Sequence, residues 1–172
     1  MSVARSCHVR LATVEDAPAF GTFEATLGYP VTEAEARTRI AHISTNTCGA
    51  IYGCFEDDLL KGWVHIHAVP LLASDGYAEI GGLVVVDAYR RQGIAKALIE
   101  ACVTWTRAHG FSRLRLYSGM HRVEAYAFYK SLGFDGTKAP AFTLHLNRLD
   151  DGLPAETFVR KDRPNPFSFD LG

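Results

Sequence analysis

The chain has 172 residues, 48% of them hydrophobic and 22% charged, with a formal net charge of −1. This is the composition of one ordinary globular domain, and it excludes the basic face that non-specific nucleic-acid binding requires. No apolar run approaches the ~20 residues of a membrane helix, and no long apolar core follows Met1 to Ser6 to make a secretory leader.

Val9 to Ala12 reads as a first short strand. Thr13 or Asp16 then caps a helix reaching about Leu27, with Pro18 in its first turn and Phe20, Phe23 and Leu27 on its apolar face. Gly28-Tyr29-Pro30 breaks that helix. Thr32 and Glu35 have the spacing of a capping box, and Ala36, Ile40 and Ile43 line a second helix. Strands are predicted over Ala50 to Phe55, Leu60 to Val69 and Tyr77 to Val86. Their separators, Glu56-Asp57-Asp58 and Ala73-Ser74-Asp75-Gly76, carry turn chemistry, and the spacing suits an antiparallel meander.

The run Val84-Val85-Val86 then stops. Asp87-Ala88-Tyr89-Arg90-Arg91-Gln92-Gly93 follows, and a helix begins at once, with Ile94, Ala97, Leu98, Ala101, Cys102 and Trp105 on one stripe and Gly110 as its stop. A helix start offers N–H groups without internal acceptors and a partial positive charge, which together suit a pyrophosphate. The turn is neither a P-loop nor a dinucleotide fingerprint. Leu114 to Ser118 alternates like a strand. Ala125, Phe128, Tyr129 and Leu132 share a helix face closed by Gly133, and Phe142 to Leu146 looks like a last strand. The order implies a mixed α/β fold of three layers, α/β/α. We read one domain over 1–172, with a core of about 8–148 and a Pro-rich tail over 149–172.

Two segments carry a resemblance. Arg90, Gly93 and Ala95 match the [RQ]-x-x-G-x-[GA] loop of the GNAT superfamily of acyl-CoA N-acyltransferases, and Ala125, Phe128, Tyr129, Gly133 and Phe134 match its A-x-x-[LF]-Y-x-x-x-G-F helix. The resemblance implies a mostly antiparallel sheet splayed between its fourth and fifth strands, with acetyl-CoA in the wedge. It implies that the backbone of Leu83, Val84 and Val85 meets the acetyl carbonyl and the pantetheine arm. The amides of Arg91, Gln92, Gly93, Ile94, Ala95 and Lys96 would take the pyrophosphate, with the Arg91 and Lys96 side chains either assisting or simply solvated. Arg122 stands where many members have Asn and would reach the CoA phosphates or the acceptor. Glu79 sits where some members carry a catalytic base, and a solvated rim carboxylate is the alternative. Tyr129 matches the tyrosine that faces the thioester sulfur, and a core aromatic is the alternative.

The implied activity is transfer of an acetyl group to a primary amine, of a small molecule in the first reading. A protein N-terminus or lysine as acceptor, and a non-catalytic acyl-CoA-binding module, are the alternatives. Glu24 and Tyr29 would form part of the acceptor wall. His65-Ile66-His67 puts two imidazoles on one strand face, but no third ligand is evident, so no metal is expected; these rings would equally line the acceptor groove. Cys7, Cys48, Cys54 and Cys102 form no C-x-x-C pair and are expected as free thiols in a reducing cytoplasm. A homodimer is the assembly to which the resemblance points.

Overall fold

The computed structural model describes residues 7–23, 31–117 and 123–135. Among them, five strands form one sheet in the order β1-β2-β3-β4-β5: β1 His8–Leu11, β2 Gly49–Glu56, β3 Leu59–Leu71, β4 Ser74–Val85 and β5 Leu114–Leu116. The first four are antiparallel neighbours, and β5 joins β4 in parallel. The helices are α1 Ala17–Phe23, α2 Glu33–Thr45, α3 Ile94–Ala108 and α4 Val123–Ser131.

The sheet is hydrophobic on both faces and is covered on both. On one face Val64, Ile66, Ala78 and Ile80 pack with Leu98, Cys102 and Trp105 of α3. On the other, Ala36 and Ile40 of α2 and Phe23 of α1 close over Ile51, Phe55 and Leu60. This is the three-layer α/β/α arrangement expected from the element order.

One residue decides which side chains of β4 face which layer. His65 pairs with Gly82 but Ile66 pairs with Ile80, so Gly81 is an extra residue in β4. A β-bulge of this kind reverses the in–out alternation beyond it. Ala78 and Ile80 lie in the α3-side core before the bulge, Leu83 and Val85 after it, while Val84 and Val86 turn to the α1–α2 side. A second bulge sets Asp75 and Gly76 opposite Pro70, with Gly76 at φ +70°. The strand therefore starts at Ser74 instead of Tyr77, and Asp75-Gly76 is a kink within β4 while Leu72-Ala73 makes the turn.

Helix ends follow the predicted chemistry. Thr32 and Glu35 form a reciprocal capping box on α2. Gly110 (φ +79°) closes α3: its N–H donates to Arg107 O at 3.1 Å, and Phe111 N–H donates to Thr106 O at 3.0 Å, the paired bonds of a Schellman motif. Cys102 is fully buried on the α3 stripe, and burial pushes its thiol up to about 12.

The cysteine expectation is corrected. Cys7 and Cys54 form a disulfide, and only Cys48 and Cys102 are free. Residues 47 apart in sequence give no spacing signature; the antiparallel pairing of β1 on β2 brings them to a Cα–Cα distance of 6.1 Å. The predicted strand at Phe142 to Leu146, the tail and the Gly28-Tyr29-Pro30 break lie outside the described residues. No helix among the described residues is long and apolar enough to cross a membrane.

Deleting Gly81 should restore unbroken alternation and turn Leu83 and Val85 out of the core. Burial of one such side chain stabilises by about 2 kcal/mol, so the deletion is expected to lower the urea midpoint by at least that equivalent. An unchanged midpoint would show that the bulge does not set the register.

Candidate active site

β5 pairs with β4 only from Ala78 to Ile80. From Gly81 to Val85, no described strand occupies the β5 side of β4. Among the described residues, the pairing of β4 with β5 thus stops where the bulge falls, and the main-chain polar groups of Leu83, Val84 and Val85 border that edge. Backbone groups left without a ladder partner need one from elsewhere.

The chain leaves β4 through a 3-10 turn at Asp87–Tyr89. The turn is anchored from below. Val86 N–H donates to Lys61 O at 3.0 Å, and the buried Lys61 pairs with Glu56 and lies 4.5 Å from the centre of the Tyr89 ring. Arg91 (φ +61°) and Gly93 (φ +81°) then adopt left-handed conformations and turn the chain into α3. The first intrahelical bond runs from Ala97 N–H to Gly93 O at 3.0 Å. Among the described residues, the amides of Arg91, Gln92, Gly93, Ile94, Ala95 and Lys96 make no hydrogen bond of good geometry to a backbone acceptor. A Cβ on Gly93 would meet nothing within 4 Å, so the space before these donors is open.

The side chains here behave differently from one another. Arg90 is held by Asp87 at 2.7 Å, Gln92 donates to Ala88 O at 3.4 Å, and Lys96 is 3.9 Å from Glu100. Arg91 forms no ion pair among the described residues. Arg122 lies outside them.

Beside the open edge of β4 is a cavity of about 600 Å³. Phe20, Phe23, Ile40 and Ile43 close it from α1 and α2, and Leu83, Val84, Leu116 and Tyr129 close it from the other side. Trp63 forms part of the wall, with its indole against Gly82, where a Cβ would come within 3.1 Å of the ring. Phe20 lies 6.3 Å from that indole, centroid to centroid. Sequence reasoning did not single out Trp63, Phe20, Phe23 or Arg39 as lining residues. The predicted wall residues Glu24 and Tyr29 lie outside the described residues.

Tyr129 reaches the cavity from α4, and the Gly-Phe pair that follows explains how. Gly133 (φ +90°) donates to Lys130 O at 3.0 Å, and Phe134 N–H donates to Tyr129 O at 3.1 Å. The Schellman motif brings the residues at its two ends into contact, and the Phe134 and Tyr129 rings meet edge-on at 5.8 Å. The helix end therefore orients the tyrosine.

Glu79 is placed differently. Its side chain is on the α1–α2 face of β4 but is not among those lining the cavity. Its Oε1 lies 3.6 Å from Nε2 of His67, opposite it on β3. His67 in turn stacks on His65 at 5.3 Å, and His65 does line the cavity. Burial, and next the charge of His67, hold the His65 imidazole below the ordinary histidine value. Nδ1 of His67 is buried without a hydrogen-bond partner among the described residues. No group of three or more metal-ligating side chains occurs among the described residues.

Residues 13–134 match the Acetyltransferase (GNAT) family. Human N-acetyltransferase 8 is 42% identical over 55 residues, which are 32% of this chain and 24% of that protein, so the match spans about a quarter of the relative's length. Similar folds include the aminoglycoside 6'-N-acetyltransferase AAC(6')-Ig of Acinetobacter haemolyticus (TM-score 0.67, 16% identity, 80% of this chain and 97% of that one). AAC(6')-Iy, solved with a bisubstrate analog of CoA, has a TM-score of 0.71 at 17% identity, over 81% of this chain and 98% of its own. The ribosomal-protein-alanine N-acetyltransferase of Brucella melitensis has a TM-score of 0.67 at 18% identity, over 81% and 99%.

The state of His65 can be checked directly. With a depressed value in the folded chain, the unfolded state binds more protons, so this residue costs stability as pH falls below about 6.5. An NMR titration should give His65 a midpoint below that value, and Tm should fall less on acidification in His65→Gln than in wild type. A midpoint at or above about 6.5 would contradict the buried placement of the ring.

Proposed function

Because the chain belongs to the GNAT acetyltransferase family, we propose that it transfers an acetyl group from acetyl-CoA to the primary amine of a small molecule. The observation that carries the proposal is the conjunction of an amide cradle at Gly93 with a cavity reached by Tyr129 beside the edge of β4. The cradle suits a pyrophosphate. Successive N–H donors at a helix start, with no Cβ in front of them, match an anion in both geometry and charge. Arg91 and Lys96 add positive charge beside it. The backbone of Leu83 to Val85 would pair with the extended pantetheine arm as a further strand would.

When bound, acetyl-CoA supplies the thioester from which the acetyl group is taken. The protein's part is to hold the two reactants together and to move protons. Tyr129 is the proposed acid: a phenol at the cavity wall can donate to the sulfur as negative charge develops there. Glu79 is proposed to assist the loss of a proton from the amine. Its carboxylate pairs with His67 outside the cavity lining, so it would serve through intervening groups. The volume, about 600 Å³, is in the range of small-ligand sites and supports a small acceptor over a long peptide.

An acceptor screen monitored by free thiol tests this, with small amines and peptides side by side. Tyr129→Phe should lower kcat about 10²-fold while leaving acetyl-CoA affinity intact, since loss of one proton-transfer group costs at least that much. Gly93→Glu should weaken acetyl-CoA binding more than 10-fold in calorimetry, through a carboxylate placed before the anion cradle. Unaltered binding in Gly93→Glu would remove the cradle from the proposal, and thiol release with peptides alone would reassign the acceptor class.

A further inference from the structure

We propose that His65 is the group that directly takes the proton from the acceptor amine, with His67 and Glu79 positioning it from outside the cavity. This rests on the acetyl-transfer reading above and deepens it by identifying the base that touches the acceptor.

The cavity carries few groups able to do this. Its charged and titratable lining among the described residues consists of Arg39 from α2, His65 from β3, Tyr117 just past β5 and Tyr129 from α4. A guanidinium keeps its protons at any working pH, and a phenol is an acid before it is a base. Among the described lining residues, only the imidazole remains. Glu79 is excluded from direct contact because its side chain is not part of the lining and is turned to His67 at 3.6 Å. Arg115, opposite Glu79 on β5, stacks over the Tyr77 ring at 4.2 Å instead.

The location is also right. His65 sits across from the bulge: a Cβ on Gly81 would come within 3.1 Å of its Nδ1. The ring therefore stands where pairing between β4 and β5 ends, on the cavity that Tyr129 reaches from the far side. Burial keeps it neutral near pH 7, so it can accept a proton. The stacked His67, 5.3 Å away, opposes a charge on His65, and the Glu79 carboxylate contacts the far side of that second ring at 3.6 Å.

The proton count closes. The ammonium nitrogen gives up one proton before its lone pair attacks, and a second as the C–N bond forms and the C–S bond breaks. One passes to His65 and then to solvent, and the other ends on the departing sulfur, which Tyr129 serves.

The test is thiol-release kinetics from about pH 5 to about pH 9, with acetyl-CoA affinity measured in parallel. Wild type should show an acidic limb in kcat with a midpoint below about 6.5. His65→Gln should lose about 10²-fold in kcat and lose the limb while binding acetyl-CoA with unchanged Kd, which also shows it to be folded. Glu79→Gln should cost less and move the limb without abolishing it. Free imidazole should restore part of the activity of His65→Ala. A His65→Gln enzyme with wild-type kcat and an unmoved limb overturns the inference alone. A wild type that binds acetyl-CoA but releases thiol with no amine overturns the acetyl-transfer reading as well, so the two failures are told apart.

Discussion

The organisation of this molecule depends on β4 losing its partner. From Ala78 to Ile80 it is an interior strand, paired on both sides; beyond Ile80 no described strand lies on its β5 side. An exposed row of main-chain donors and acceptors is a liability that proteins cover or use. Here the Gly81 bulge falls at the transition. It turns Leu83 and Val85 into the α3-side core, so the strand stays anchored from that layer where no described strand flanks its β5 side. The cavity, the bordering backbone and the approach of Tyr129 all follow from that break in pairing.

Helix termini do the rest. At the start of α3, two left-handed residues within three positions direct consecutive amides outward. At the end of α4, a glycine in the same region bends the chain back so that Phe134 meets Tyr129. One terminus is left with free amides, and the other is closed by the paired bonds of its Schellman motif. The first can receive a ligand, and the second holds a side chain in place. Both outcomes come from the same property of glycine, free access to positive φ.

Much of this was legible in the residues. The stripe from Ile94 to Trp105, the Thr32–Glu35 box and the glycine stops at 110 and 133 are local patterns, and each is found where the periodicity puts it. Gly81 could be read as a bulge or a close approach because glycine weakens a strand without such a reason. The parts that could not be read depend on register. The pairing of Cys7 with Cys54, the turning of Glu79 towards His67 and the start of β4 at Ser74 are fixed by which residues stand opposite each other across strands. The cavity wall was obscure for a similar reason: Phe20, Trp63 and Ile43 come from three elements and share no spacing in the chain.

The four cysteines have very unequal chemical availability. Two are consumed in the Cys7–Cys54 bond, and Cys102 is walled in with its thiol pushed up to about 12. A thiol in that state is inert to alkylating and disulfide-exchange reagents, which attack the thiolate. That leaves Cys48, exposed in the turn between α2 and β2. Chromogenic disulfide reagents would thus register one fast equivalent per chain as a constant background. The same uniqueness makes position 48 a ready-made attachment point for a fluorophore or spin label on the native sequence.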